Sequence, residues 1–482
     1  MNSFASITDP TDLSGLRAVI ANSPGAQTLV HLGIRRLEIS PLAADSAVEA
    51  VEAELVIAGH PRDGAKVLII VDSTMIRRAG QDLKAEIHRQ LAARFDVDVL
   101  VLGNDAHLLA DDNSLDSATK AVHNIDCVVT IGSGTITDIG KVATHRNSGT
   151  PLVVIQTSAS VDGFTDNVSV VLKNGVKRTI PSRWPDVVLA DTDTIADAPP
   201  AMNTAGFGEV LSLYTAPADW QLASLCGLDL TFHTTPRDLL LAFAGDPSKW
   251  ALGLSGGHDA AIQQLTRVLA IRGMGTGVAG TTACLSGVEH VVSHMLDMYS
   301  GSHSLPTGLH GAQVGVASLV AAAAWHMFLD RMETQQPEAA FPGDPDVEVK
   351  VRSAFDWCDP SGATGAECWR DYQEKLAGWR SNSRQVTSVL ANWTDHAEGF
   401  RALVPTPDTL ARGLNAAGAT ALPHQLSDWI TPQVWKWAVS NCHFMRNRLT
   451  VIDLLFFMGW WTDDDIDLVI EDAARAAQAA SA

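Results

Sequence analysis

Cysteine is scarce in this 482-residue chain and follows no pattern. The six residues Cys127, Cys226, Cys284, Cys358, Cys368 and Cys442 are scattered, and none forms a Cys-x-x-Cys pair. Nothing therefore points to a zinc knuckle or a disulfide framework, and a reduced, cytoplasmic setting is the simpler expectation. Positive charge is also short: 34 Lys and Arg stand against 55 Asp and Glu, a net charge of −21. That balance argues against general nucleic-acid or anionic-membrane binding, though a local cluster of amides or a metal can still hold an anionic substrate. The N-terminus lacks the basic flank and apolar core of a signal peptide. The longest apolar run, residues 314–325, is too short to span a bilayer and reads as a buried helix. There is no internal repeat, and the only biased tract is the Ala-rich tail 473–482.

At 46% hydrophobic and 18% charged, the chain can bury a sizeable core, and its length fits two domains or one large one with additions. Residues 1–27, with Pro10 and Pro24, read as a loosely held extension. From 28 to 199, strands alternate with helices. Thr28–Leu32 and Arg36–Ser40 are candidate short strands, and Ser46–Ala58 is a helix. Lys66–Asp72 is a strand followed by a helix over Ser73–Phe95. Val97–Leu102 is the next strand, then a helix over Ser114–Asn124 and a strand from Val128. Such alternation predicts an α/β domain with a parallel sheet. From 200 to 482, long apolar-periodic segments dominate and predict an all-helical second domain; Met332–Val347, rich in Pro and acid, reads as a loop.

Two strand ends carry the first chemistry. Val128–Ile131 runs into Gly132-Ser133-Gly134-Thr135-Ile136-Thr137-Asp138 and then a helical pattern. Pro151–Gln156 ends in Thr157-Ser158-Ala159-Ser160-Val161-Asp162-Gly163. Amides at a Gly-rich turn that opens a helix bind phosphate, because unpaired N–H groups and the helix dipole both point at the anion. Adjacent ends of this kind imply one crevice at the carboxyl edge of the sheet. The turn is not a Walker loop, and Thr137 stands where the third Gly of Gly-x-Gly-x-x-Gly would be. An ordinary tight turn is the plainer reading. Lys141 pairs with Asp138 as a solvated couple in the plainer view. Asp72, ending its strand, is either a ribose ligand or an N-cap acid.

The helical half holds the second group. His290 and His294 are four apart and share a helix face; His310 opens another helix after a Gly/Ser/Pro loop that contains His303. A lone His in an apolar helix is usually a core residue, whereas three so placed point to a metal or proton-relay site suited to Zn, Ni or Fe. Glu209, Asp219 and Asp297 are equal candidates for a completing carboxylate. For Glu209 the alternative role is a first-turn acid complementing the helix dipole.

Taken together, these motifs resemble the glycerol-1-phosphate dehydrogenases, within the superfamily of iron-containing alcohol dehydrogenases, glycerol dehydrogenase and 3-dehydroquinate synthase. The likeness runs from about Lys66 to Asp453. It rests on Gly132–Asp138, Thr157–Gly163, Ala205-Gly-Phe-Gly-Glu209, Tyr214–Trp220, Gly287–His294, His310–Gly315 and Arg446–Asp453. The resemblance implies a nucleotide-binding domain, a helical domain and an active site in the cleft between them. It implies NAD(H) or NADP(H) at Gly134–Asp138 and Thr157–Ser160, beside Gly132 and Ser133 of the same turn, with Asp166 near the cofactor and Asp72 a further candidate from its strand end. It places Asp162 and His294 at the substrate or proton relay, and one divalent metal on Glu209, His290 and His310. The implied reaction is reduction of dihydroxyacetone phosphate, a phosphorylated triose, in a homodimer or larger homo-oligomer. Three residues depart from the family pattern: Glu209 replaces Asp, Leu213 replaces Lys and Asp166 replaces Ser. A lost cation and a gained anion both disfavour a phosphorylated ligand nearby. Glu209 is the ligand type of the cyclase branch, so a 3-dehydroquinate synthase-like lyase is the alternative, with a catalytically impaired homologue as a third reading.

Overall fold

The computed structural model describes residue 4 and residues 7–103, 108–147, 149–173 and 176–481. The strands, in chain order, are β1 (Arg36–Ser40), β2 (Lys66–Asp72), β3 (Arg77–Arg78), β4 (Gln81–Asp82), β5 (Asp96–Leu102) and β6 (Cys127–Gly132). They continue with β7 (Leu152–Gln156), β8 (Val168–Lys173), β9 (Val176–Pro181) and β10 (Val187–Asp191). Six of them form one sheet in the order β1-β10-β7-β6-β2-β5, with every pairing parallel. Among the described residues no strand follows β10. The expected parallel α/β region followed by a helical region is what is found.

Sequence explains the sheet. The strands β6, β7 and β10 are buried at every residue, as strands covered on both faces must be. Val67, Ile69, Val71, Cys127, Val129, Ile131, Val153, Ile155, Val187 and Leu189 alternate along their strands and so share one face. They form a core with Val51 and Leu55 of helix Ala47–Ala58 and with Leu83, Ile87 and Leu91 of helix Leu83–Ala92. Thr130 has the opposite parity. A Cβ on Gly140 would lie 2.4 Å from its Cγ2, so helix Gly134–Arg146 packs on the other face. From β2 the chain goes first to the edge strand β5 and then returns to β6 on the other side of β2. This reversal makes the carboxyl ends of β2 and β6 the switch point at which open α/β sheets bind ligands.

The chain groups into two compact units. One comprises Met1–Gly206, Thr235–Gly245 and Trp250–Gly280; the other comprises Phe207–Thr234, Asp246–Lys249 and Thr281–Ala482. Helix Asp259–Ala279 thus groups with the sheet, where Thr165 Oγ1 donates to Ala270 O (2.9 Å) and Val30 N to Val278 O (2.9 Å). In the second unit the longest apolar run forms helix His310–Thr334. It is long and apolar enough to cross a bilayer, yet 83% of its most apolar window is buried inside the protein.

Four local expectations change. Residues 13–21 form a helix capped by Asp12 and buried through Leu13, Leu16, Val19 and Ile20, not a loose extension. Thr28–Leu32 contains no strand. The helix expected over Ser73–Phe95 starts only at Leu83, because Ala79 (φ 50°) and Gly80 (φ 78°) make the left-handed turn of a β3–β4 hairpin. The β8–β9 hairpin was not anticipated.

Candidate functional site

In the first unit, Gly132 ends β6 and Ser133 opens helix Gly134–Arg146 without capping it through its side chain. The first-turn amides have no acceptor within the helix and point along the positive end of its dipole. A Cβ on Gly134 would lie 2.6 Å from Val161 Cγ2, so only Gly admits the loop after β7 this closely. Ser133 and Thr135 keep partial exposure. Thr157, Ser158 and Ser160 are buried. Gln156 Nε2 donates to Ser158 O (2.9 Å), the two serine hydroxyls lie 3.2 Å apart, and Ala159 N donates to Asn203 Oδ1 (3.2 Å). The two strand ends predicted to share a crevice are neighbours in register, Gly132 opposite Gln156.

Asp138 and Asp166 meet at Lys141. Lys141 is fully buried, not a solvated partner. Its Nζ lies 3.0 Å from Asp138 Oδ1 and donates to Asp166 Oδ1 (2.5 Å), Gly163 O (2.7 Å) and Val168 O. The cluster ties the loop after β7 and the start of β8 to the helix. Its balance is two carboxylates to one ammonium. Burial, together with the charges of Asp138 and Asp162, pushes the Asp166 carboxyl up to about 7 against the opposing pull of Lys141. Asp162 lies 3.3 Å from Nη2 of the buried Arg272 and keeps partial exposure. Asp72 ends β2 at the switch point. It is not an N-cap: it accepts from Thr74 N (3.2 Å) and Lys84 Nζ (2.6 Å), while Asp82 caps the helix.

In the second unit, Glu209, His290 and His310 converge, with one ligand atom from each lying within 4.8 Å of the others. His290 Nε2 is 3.1 Å from Glu209 Oε1, and His310 Nε2 is 3.8 Å from Glu209 Oε2. Among the described residues this is the one such cluster, and neither Asp219 nor Asp297 belongs to it. Asp219 instead accepts from Val451 N, Val288 N and Trp325 Nε1. His303 is exposed and stacks on Tyr299. The His294 ring stacks beside His310 at 5.6 Å and stays half-buried.

Glu209 is not a first-turn acid. It lies late in helix Pro200–Val210, which runs on directly as a 3-10 turn over Leu211–Tyr214, and it is buried. A cation is what such a position calls for. Close backbone packing brings it there: a Cβ on Gly208 would be 2.2 Å from Gly311 O, and one on Gly315 would be 2.7 Å from Gly208 Cα. Burial lowers the His290 imidazolium, but Glu209 and Glu289 outweigh that and hold it at about 9. Without a metal, the cluster therefore keeps a proton as its countercharge.

Residues 46–199 match the family model of the iron-containing alcohol dehydrogenases. A glycerol-1-phosphate dehydrogenase [NAD(P)+] of Geobacillus thermodenitrificans is 28% identical over 393 residues, 80% of this chain and 85% of that protein. One from Natronomonas pharaonis is 30% identical over 285 residues, 57% of this chain and 73% of that protein. The chain belongs to the glycerol-1-phosphate dehydrogenase family of iron-containing alcohol dehydrogenases. Among solved structures, a probable glycerol dehydrogenase from Sinorhizobium meliloti shares the fold, with a TM-score of 0.55 at 13% identity over 93% of this chain and 98% of its own.

A glycerol-1-phosphate dehydrogenase of this family implies a nicotinamide cofactor and a divalent metal. The residues fit both. One carboxylate and two imidazoles suit Zn, Ni or Fe and leave room for an outside ligand. The open amides beside Gly134 suit a pyrophosphate. Leu213, read from the sequence as a departure from the family pattern, is fully buried. The sequence reading missed Lys141 as a buried anchor, and it missed Arg272, Asn203, Glu289 and Ser293. For Arg272 a signal existed: it stands beside Gly273 and Gly277, four apart on one helix face, where a Cβ would meet Thr165 and Trp184.

Proposed function

We propose that the chain reduces dihydroxyacetone phosphate to glycerol 1-phosphate with NADH or NADPH. The observation that carries the proposal is the convergence of Glu209, His290 and His310 in a chain of this dehydrogenase family. Glu209, His290 and His310 would hold a divalent metal, which supplies Lewis-acid polarisation of a carbonyl, and the nicotinamide supplies the hydride. The amides of Gly134 and Thr135 and the hydroxyls of Ser133 and Thr135 bind the cofactor's pyrophosphate. Thr157, Ser158 and Ser160 shape the neighbouring wall. Asp162, steadied by Arg272, orients a substrate hydroxyl as an acceptor. His294, partly exposed beside His310, would give a proton to the product oxygen.

The test uses the purified full chain with Zn²⁺, Ni²⁺ or Fe²⁺, NADH or NADPH and dihydroxyacetone phosphate, followed at the nicotinamide absorbance band. Steady cofactor oxidation is expected, and His290→Ala should lose the metal. No oxidation with this or any other short hydroxy-ketone, by a metal-loaded protein, overturns the proposal.

A further inference from the structure

We propose that Glu289 and Ser293 are positioning residues of the metal centre, holding the Nδ1 protons of His290 and His310 so that Nε2 of each is the atom offered to a metal. This rests on the metal reading above. Hydrogen-bond bookkeeping carries it. Glu289 is fully buried, and its Oε1 accepts from Gly287 N (2.8 Å) and faces His290 Nδ1 at 2.9 Å. Its Oε2 accepts from Thr215 Oγ1 (2.8 Å). An ionised carboxylate only accepts, so Glu289 holds a proton on His290 Nδ1, and the proton a metal would displace is the one on Nε2, which faces Glu209.

The second histidine is set by different atoms to the same result. Ser293 Oγ donates its one proton to Gln313 Oε1 (2.7 Å). Towards His310 Nδ1, at 2.9 Å, that oxygen can then only accept. His310 therefore also has Nδ1–H, with the Nε2 lone pair on the Glu209 side. Ser293 and Gln313 are buried, so water does not compete for these bonds. A first-turn acid serving only its helix would need one oxygen on Gly287 N. Glu289 uses that oxygen on His290 as well and has its other oxygen held by Thr215. Outer partners of this kind typically change metal affinity 10- to 100-fold when removed.

The experiment titrates the metal-free full chain with Co²⁺ and records its visible spectrum, alongside NADH binding and thermal unfolding without metal. Glu289→Gln and Ser293→Ala should each weaken Co²⁺ binding about 10- to 100-fold and shift the Co²⁺ bands. NADH binding should stay as in wild type. Wild-type Co²⁺ affinity and spectrum in both Glu289→Gln and Ser293→Ala overturn the proposal. If Glu289→Gln does not fold, Ser293→Ala alone decides. His290→Ala separates the two claims. Retained Co²⁺ in that variant refutes the ligand assignment itself; lost Co²⁺ there, with unchanged Glu289→Gln and Ser293→Ala, refutes only the positioning roles.

Discussion

Lys141→Met is the most demanding test of the first unit. The substitution keeps an unbranched side chain, one atom shorter, and removes the one ammonium between Asp138 and Asp166. Breaking a buried pair from one side costs about 3–5 kcal/mol, because the remaining charge stays buried without compensation. The carbonyls of Gly163 and Val168 lose the same donor, at about 1 kcal/mol each on the low side. A loss of about 5 kcal/mol is therefore expected, comparable to the whole stability of a marginal domain. The pH dependence gives the sign. The Asp166 carboxyl already sits high, at about 7 against 3.8 unfolded. A group raised in the folded state adds stability that is fully present below its unfolded pKa and is lost as pH rises through the folded one. Without Lys141, both carboxyls move further up, so the deficit of Lys141→Met should be larger at pH 8 than at pH 5. Adding Asp166→Asn should recover part of it at pH 8. Urea unfolding read by hydrogen exchange on sheet peptides isolates this unit from the helical one. A deficit under about 1 kcal/mol, or one equal at pH 5 and pH 8, would refute the reasoning.

Two glycines give cleaner functional readouts, one per unit. Gly134→Ala places a methyl 2.6 Å from Val161 Cγ2, so KM for NADH in steady-state rates should rise about tenfold or more while metal affinity holds; Val161→Ala in the same chain should restore it. Gly208→Ala places one 2.2 Å from Gly311 O and parts Glu209 from His310, so Co²⁺ titration should show affinity down about tenfold with NADH binding unchanged.

What could be read without coordinates followed periodicity. The runs at β2, β6 and β7 are continuous and β-branched, and each ends at residues with distinct chemistry, so both the strands and their ends were legible. His290 and His294 were placed on one face by spacing alone. Spacing could not say that His290 and His310, from two helices, join Glu209 while His294 stands beside them; only the family likeness chose. Lys141 misled for a physical reason. A charged pair three residues apart on a helix is usually solvated, and what buries this one is the hairpin Val168–Pro181, thirty residues on and invisible to helical periodicity. Glu289 was hidden differently. Consecutive helical residues rarely face each other, so an acid next to a ligand histidine reads as a capping acid until its oxygens are located.

Glu209 shows how these levels combine. A buried carboxylate is costly unless it is paired, so local rules argue against the residue. Close packing overrides them. Gly208, Gly311 and Gly315 bring two helix ends to backbone contact, which leaves no further approach available to the main chain. The reach to His290 and His310 must then come from the side chain, and Glu supplies about 1.5 Å more than an Asp would. The departure that looked like a doubt about chemistry is, at this helix crossing, what carries a carboxylate to two imidazoles. A residue that violates its local preferences and is held by tight packing marks function more reliably than a motif does.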